Sequence, residues 1–409
     1  MKTLYPIKEA LNKAAAGLLI LFVLLSTGCW DRREVDTLAL ILGAGVDYLP
    51  EEDQIIYTTL TARPGQLAGI QDGGGGQFFM GPIWVSQSTG KTIFEASRNL
   101  STRTPRHIFE SHIVAIIVGE ELARRGMGEL VDFMIRDREH RIIHPIFIVR
   151  GSAGEVIKAE PEIESNIAQE VIAILESQND LSTTPFMSLK DFLVPLSRPG
   201  SDAFAPVIEL RERTPTPDEE FLTGAPEDRV KKYLAVQGTA VFSEDKLAGY
   251  LDVPETKGLL WVRGEVVRTN LIPRQPDEGQ VTVYITRSNS KLEPEFVDDK
   301  LKIKIQVEAE GDIASSTIKQ DIADSQVIEE LEKTLANNIK QEILLAVNKS
   351  KELQSDFLCF GAALRRKDFR RWKNIEADWR KKLPEVEVEI RAMVEIRRTG
   401  IISTPAIRE

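Results

Sequence analysis

Period-two alternation marks the last third of the chain. Val281, Val283 and Ile285 alternate with Thr282 and Tyr284, and Leu301, Ile303, Ile305 and Val307 with Lys302, Lys304 and Gln306. Val386, Val388, Ile390, Ala392, Val394 and Ile396 alternate with Glu387, Glu389, Arg391, Met393 and Glu395. Successive side chains of a strand point to opposite faces, so these runs predict half-buried strands with one face in water. Between them Ile328, Leu331, Leu335, Ile339, Ile343 and Val347 recur every three or four positions. That spacing predicts an amphipathic helix of about six turns whose apolar stripe covers a sheet. A coiled-coil partner is the alternative, but about three heptads is a short run for one.

Upstream the pattern changes to short apolar runs separated by helix signals. Strands are predicted at 36–46, 54–61, 83–86, 112–118 and 142–149. A helix begins at Thr92, where Thr92 and Glu95 have capping-box spacing, and another at Glu120, whose acids suit the positive end of a helix. Helices are also predicted at 130–135, 163–175 and 189–196. Segments 235–242 and 247–253 read as a hairpin around 243–246, followed by a helix at 255–261 and a strand at 264–269. Alternating strands and helices predict a mixed α/β (α+β) fold. The four glycines Gly73 to Gly76 read as a loop, and 214–224, with Pro215 and Pro217, as a linker. With 409 residues the chain is long enough for two or three domains. The expected division is 29–213 (α/β), 214–290 (middle) and 291–409 (a long helix on an antiparallel sheet).

The start of the chain has a different character. Lys2, Lys8 and Lys13 precede an apolar run from Ala14 to Leu25, followed by the small residues Ser26, Thr27 and Gly28, then Cys29. This is the layout of a secretory signal over residues 1–28. As a helix the run spans about 18 Å, short of the roughly 30 Å hydrocarbon layer. The small residues before Cys29 resemble a bacterial lipobox, with Ser26 where leucine is usual. In that chemistry the Cys29 thiol takes a diacylglycerol, the signal is cut before it, and the new amino terminus is acylated. A signal cut by an ordinary peptidase, or an uncleaved anchor, would leave Cys29 unmodified. No second membrane segment is predicted, since the longest other apolar run is Ile113 to Val118.

Charge and composition narrow the functional classes. Fifty-two basic against 63 acidic residues give a formal charge of −11, which disfavours nucleic-acid binding. Two cysteines exclude a disulfide framework, and four histidines make a histidine-rich metal site improbable. Thr89-Gly90-Lys91-Thr92 lacks the upstream glycine of a phosphate loop, because Val85 stands there. His107, His112, His140 and His144 lie close in sequence. His140 and His144 have the spacing of a helical zinc pair, but Pro145 disfavours a helix at that point. Cys359 sits among apolar neighbours as inert packing, and no serine lies in a Gly-x-Ser-x-Gly elbow. Arg136 to Glu139 reads as a solvated helix end. Asp298-Asp299 and Glu219-Glu220 lack calcium-loop spacing. No catalytic, cofactor or metal residues are assigned.

Several strings together resemble the Ger(x)C family, the C subunits of bacterial spore germinant receptors. They are Gly28-Cys29-Trp30-Asp31-Arg32-Arg33-Glu34-Val35; Gly90 to Ala96 with Arg98-Asn99-Leu100; Ser111-His112 leading to Val118 to Arg124; Gly238 to Phe242 with Glu255 to Trp261; and Trp372 and Trp379 ahead of Pro384. The resemblance implies a lipoprotein carrying S-diacylglycerol and N-palmitoyl groups on Cys29, on the outer face of the inner spore membrane. It implies three domains, each a mixed sheet with helices, and no enzymatic activity. The implied partners are an integral A-type subunit and a transporter-like B-type subunit, in a complex that senses nutrients and commits the spore to germinate. Two rivals remain: an extracytoplasmic substrate-binding lipoprotein of a transporter, and a zinc hydrolase built on the four histidines.

Overall fold

The computed structural model describes residues 13–19, 37–62, 83–137, 139–178, 181–213, 231–266, 269–271, 280–318, 321–322 and 324–398. Cys29, Gly73 to Gly76 and the 214–224 linker lie outside the described residues, and so does the 1–28 signal apart from a helical stretch at 13–19. Among the described residues no helix is long and apolar enough to cross a membrane.

Nine strands form one sheet. In order of position it runs β3 (Ile83–Gly90), β2 (Gln54–Ala62), β1 (Leu38–Leu49), β5 (Ala115–Gly119), β6 (Ile146–Val149), β7 (Phe204–Arg213), β8 (Lys231–Ser243) and β9 (Lys246–Leu251), with the short β4 (His107–Phe109) also on β1. The middle strands β1, β5, β6 and β7 are parallel, and antiparallel hairpin partners flank them on both sides. Every residue of β5 and β6 is buried, because parallel strands are covered on both faces by their crossover helices. Ile116, Val118, Ile146 and Ile148 face one core with α1 (Ile93–Leu100), α2 (Glu120–Arg125), α3 (Gly128–Arg136) and α6 (Leu189–Ser197). Ile117, Phe147 and Val149 face another with α4 (Ala153–Lys158) and α5 (Ile167–Ser177).

The second sheet has four strands: β10 (Thr269–Leu271), β11 (Val281–Val297), β12 (Lys300–Ser316) and β13 (Glu387–Arg398). The expected antiparallel arrangement fails at its last strand, since β13 runs parallel to β12. The connection explains this. The 29-residue helix α8 (Ser325–Leu353) is about 43 Å long and carries the chain back along the sheet, so the next strand enters in the same direction. Of the predicted stripe, Leu331, Leu335, Ile339, Ile343 and Val347 are buried, while Ile328 at its start is only half-buried. Helix α7 (Val253–Arg263) lies against α8 so closely that a Cβ on Gly258 would clash with the Glu342 carbonyl oxygen. Trp261 donates to Glu342 across that contact, Nε1 to Oε2, at 2.7 Å.

The mixed α/β class agrees with the sequence reading. Where that reading expects three sheets, two are found among the described residues, and β7 and β8 pair directly from either side of 214–230. One apolar core runs from the large sheet through α7 to the small one, which joins the two halves. Other expectations shift. The strand at 142–149 begins at Ile146, the strand at 264–269 is reduced to β10, and the helix at 163–175 begins at Ile167. Strand β11 continues twelve residues past Ile285 although Arg287 to Lys291 are polar, because it pairs with β12 as far as Val297. Asp298 and Asp299 close that hairpin with φ of 47° and 61°, a left-handed pair that aspartate tolerates in a tight turn.

Candidate functional site

A cleft of about 860 Å³ lies at the junction of the two halves. Its walls come from the segment between α5 and α6, from α6, from the end of α7, and from α9 (Phe360–Lys367). Phe186 and Phe204 supply apolar surface, and Arg198, Arg263, Arg365 and Arg366 outnumber the acids Asp191 and Glu265. Arg263 donates to Glu265 at 2.8 Å and lies over the Phe204 ring, 4.9 Å from its centroid. Ser188 donates to Asp191, which ties down that acid. Among the described residues Arg198, Arg365 and Arg366 have no carboxylate partner. An apolar floor with unneutralised guanidiniums suits a small anionic or zwitterionic ligand.

Two buried aspartates fix the wall behind the cleft. Asp356 is 1% exposed and accepts from the Phe360 amide at 2.9 Å, the Gly361 amide at 2.7 Å and Trp379 Nε1 at 2.9 Å. Burial outweighs these donors and pushes its carboxyl up to about 7, with the nearby Asp202 charge adding to the effect. Asp202 accepts from the Asp356 amide at 2.8 Å and pairs with Arg380 at 2.6 Å, and Arg380 also reaches Glu244 at 2.8 Å. Gly200, at φ +94°, brings its Cα against Gly361; a Cβ there would sit 2.8 Å from the Gly361 carbonyl carbon. Trp372 and Trp379 stack edge to face at 5.4 Å beneath this contact. The first half, the β8–β9 turn and the α9 region are thus bound at one point.

The residues singled out in the sequence fall elsewhere. Thr89 to Thr92 ends β3 and caps α1: Thr92 Oγ1 accepts from the Glu95 amide at 3.1 Å, while Glu95 accepts from the Lys91 amide at 2.8 Å. Gly90 is required because a Cβ would come within 2.5 Å of the Ala96 nitrogen. His140 and His144 do not share a helix face; both lie in the turns between α3 and β6. His144 is partly buried, which lowers its pKa. His107 Nε2 lies 3.7 Å from Glu139, and the His112 ring stands 5.4 Å from Phe109. The group that does converge is Glu110, Asp137 and His140, whose ligand atoms all lie within 4.8 Å of one another. Cys359 starts α9 at φ 63°, and burial pushes its thiol up to about 11, so it stays protonated at neutral pH. Glu219 and Glu220 lie outside the described residues.

Asp202, Asp356 and Glu110 escaped the sequence reading. The available signal was weak: an acid set directly before the apolar run Phe357 to Phe360.

The chain matches two family descriptions in order, "Spore germination protein N-terminal domain" over residues 31–210 and "Spore germination B3/ GerAC like, C-terminal" over 237–400. It belongs to the Ger(x)C family. Two Bacillus subtilis relatives extend over nearly all of it. "Putative spore germination protein YfkR" is 25% identical over 97% of this chain and 98% of its own length. "Spore germination protein KC" is 27% identical over 95% and 96%. A solved structure, "Crystal Structure of the GerBC protein", aligns with a TM-score of 0.51 at 18% identity, covering 89% of this chain and 100% of that one. That likeness places this Ger(x)C chain in the same fold.

Proposed function

We propose that the chain is the lipid-anchored C subunit of a nutrient germinant receptor. The observation that carries this reading is the end-to-end, in-order match to spore germination proteins. Residues 1–28 are removed, and Cys29 carries the diacylglycerol and N-acyl chains. Each buried methylene contributes about 0.8 kcal/mol, so several chains hold the protein on the membrane where one would not. Without residues 1–28 the chain keeps 49 basic and 62 acidic residues, so at a net charge of −13 the body gains nothing from anionic headgroups, and the lipid does the holding. The folded part stands on the outer face of the inner spore membrane beside an A-type integral subunit and a B-type transporter-like subunit. Its role is non-enzymatic: it couples to its partners by contacting one receptor state better than another.

Deleting the gene and scoring germination nutrient by nutrient tests this. The expected result is loss of response to at least one nutrient, restored by the unmodified gene. An unchanged response to every nutrient, with the other receptors also deleted, would overturn it.

The cleft favours a second reading, a ligand-binding lipoprotein serving a transporter. Thermal denaturation against amino acids and sugars separates the two, because a ligand bound to the native state raises the melting temperature by mass action. A rise abolished by Arg365→Ala would favour the ligand-binding reading.

A further inference from the structure

Glu110 follows β4, Asp137 caps the end of α3, and His140 lies in the next turn. We infer that these three side chains form a binding site for one divalent transition-metal ion of the zinc type. His140 is 2% exposed in its side chain, and its Nε2 stands 3.2 Å from Glu110 Oε2. The approach is not a hydrogen bond, since Nε2 has no hydrogen-bond partner. A buried imidazole nitrogen facing a buried carboxylate oxygen at that distance needs a positive charge between them or on the ring. A metal ion answers the geometry: ligand atoms about 2.1 Å from a tetrahedral ion lie about 3.4 Å apart.

The surroundings hold the ligands in place. Glu110 Oε1 accepts from Tyr57 at 2.7 Å and from Ser97 at 3.3 Å, which leaves Oε2 toward His140. Phe133 packs edge-on against the His140 ring at 5.0 Å. The Glu139 amide donates to Asp137 at 2.9 Å. Such supporting contacts orient ligands at metal centres. A cavity of about 230 Å³ is lined by Glu110 and Asp137, so it opens onto two of the three ligands. One imidazole and two carboxylates suit Zn²⁺ or Mn²⁺ better than ions that seek thiolates.

The test uses the full chain purified in detergent and stripped with a chelator. It is titrated with Zn²⁺, Mn²⁺ or Ca²⁺ alone, following bound ion per chain and melting temperature. One Zn²⁺ or Mn²⁺ per chain with a rise in melting temperature is expected. Asp137→Asn, at the half-buried rim, should fold and weaken binding by about tenfold or more, and His140→Gln should abolish it. No binding by the unmodified chain overturns the site. Binding unchanged in Asp137→Asn, or a preference for Ca²⁺, overturns it equally.

Discussion

The two sheets solve the same burial problem differently. The nine-stranded sheet is sealed on both faces, so neighbouring residues Ile116 and Ile117 lie in two separate cores. The four-stranded sheet buries one face, with Ile303, Ile305 and Val307 inside. Its other face carries charged pairs, Lys302 to Glu389 at 2.8 Å and Lys304 to Glu295 at 2.7 Å. The difference shows where surface is available for contact. The large sheet is covered by its own helices, whereas the small sheet presents a polar face to solvent.

Substitutions can break that contrast. Ile116→Ala and Ile117→Ala should each cost about 2–5 kcal/mol, because both faces of β5 are packed, and Ile305→Ala should cost a similar amount. Chemical denaturation checks this; a near-neutral result for either Ile116 or Ile117 would mean that one face of the large sheet is open. Gly258→Ala should cost about 1–3 kcal/mol by forcing α7 off α8, seen as a lower denaturant midpoint.

Asp356 sharpens the comparison at the joint between the halves. Its folded pKa of about 7 lies above the ordinary 3.8, so the folded state keeps a proton that the unfolded state has released. Its contribution to stability is therefore lost as pH rises from about 4 through 7 and is flat above that. Asp356→Asn should flatten this slope in denaturation midpoints measured from pH 4 to 8. It should also cost about 1–3 kcal/mol at the upper end, because an amide nitrogen would face N–H donors. The smallest effect belongs to the open face: Lys304→Ala should change stability by less than about 1 kcal/mol, as solvated pairs do.

How legible each region was follows from the same contrast. The small sheet was readable because one wet face imposes period two on 301–307 and 386–396, and the α8 stripe follows the helical repeat. The direction of β13 was not readable, because alternation gives a strand's faces and not its direction. In the large sheet, apolar runs such as Ile113 to Val118 announced buried strands, but their starts slid to Ala115 and Ile146 because pairing with the neighbouring strands, not the apolar run, sets where a strand begins. The cleft and the Asp202–Asp356 joint join residues more than 150 positions apart, and Glu110 meets His140 only through the packing of β4 and α3. No local pattern carries such pairings. The Ger(x)C resemblance was carried by short strings, which reveal membership and not which acids are buried.

The central claim is that a lipid on one sulfur keeps this body at a membrane. Mass spectrometry of the protein extracted from spore membranes addresses it most directly. The account predicts a chain beginning at Cys29, its thiol bearing diacylglycerol and its amino group acylated, with Cys29→Ala protein released to the soluble fraction. An unmodified Cys29, or a Cys29→Ala protein that stays on the membrane, would contradict it.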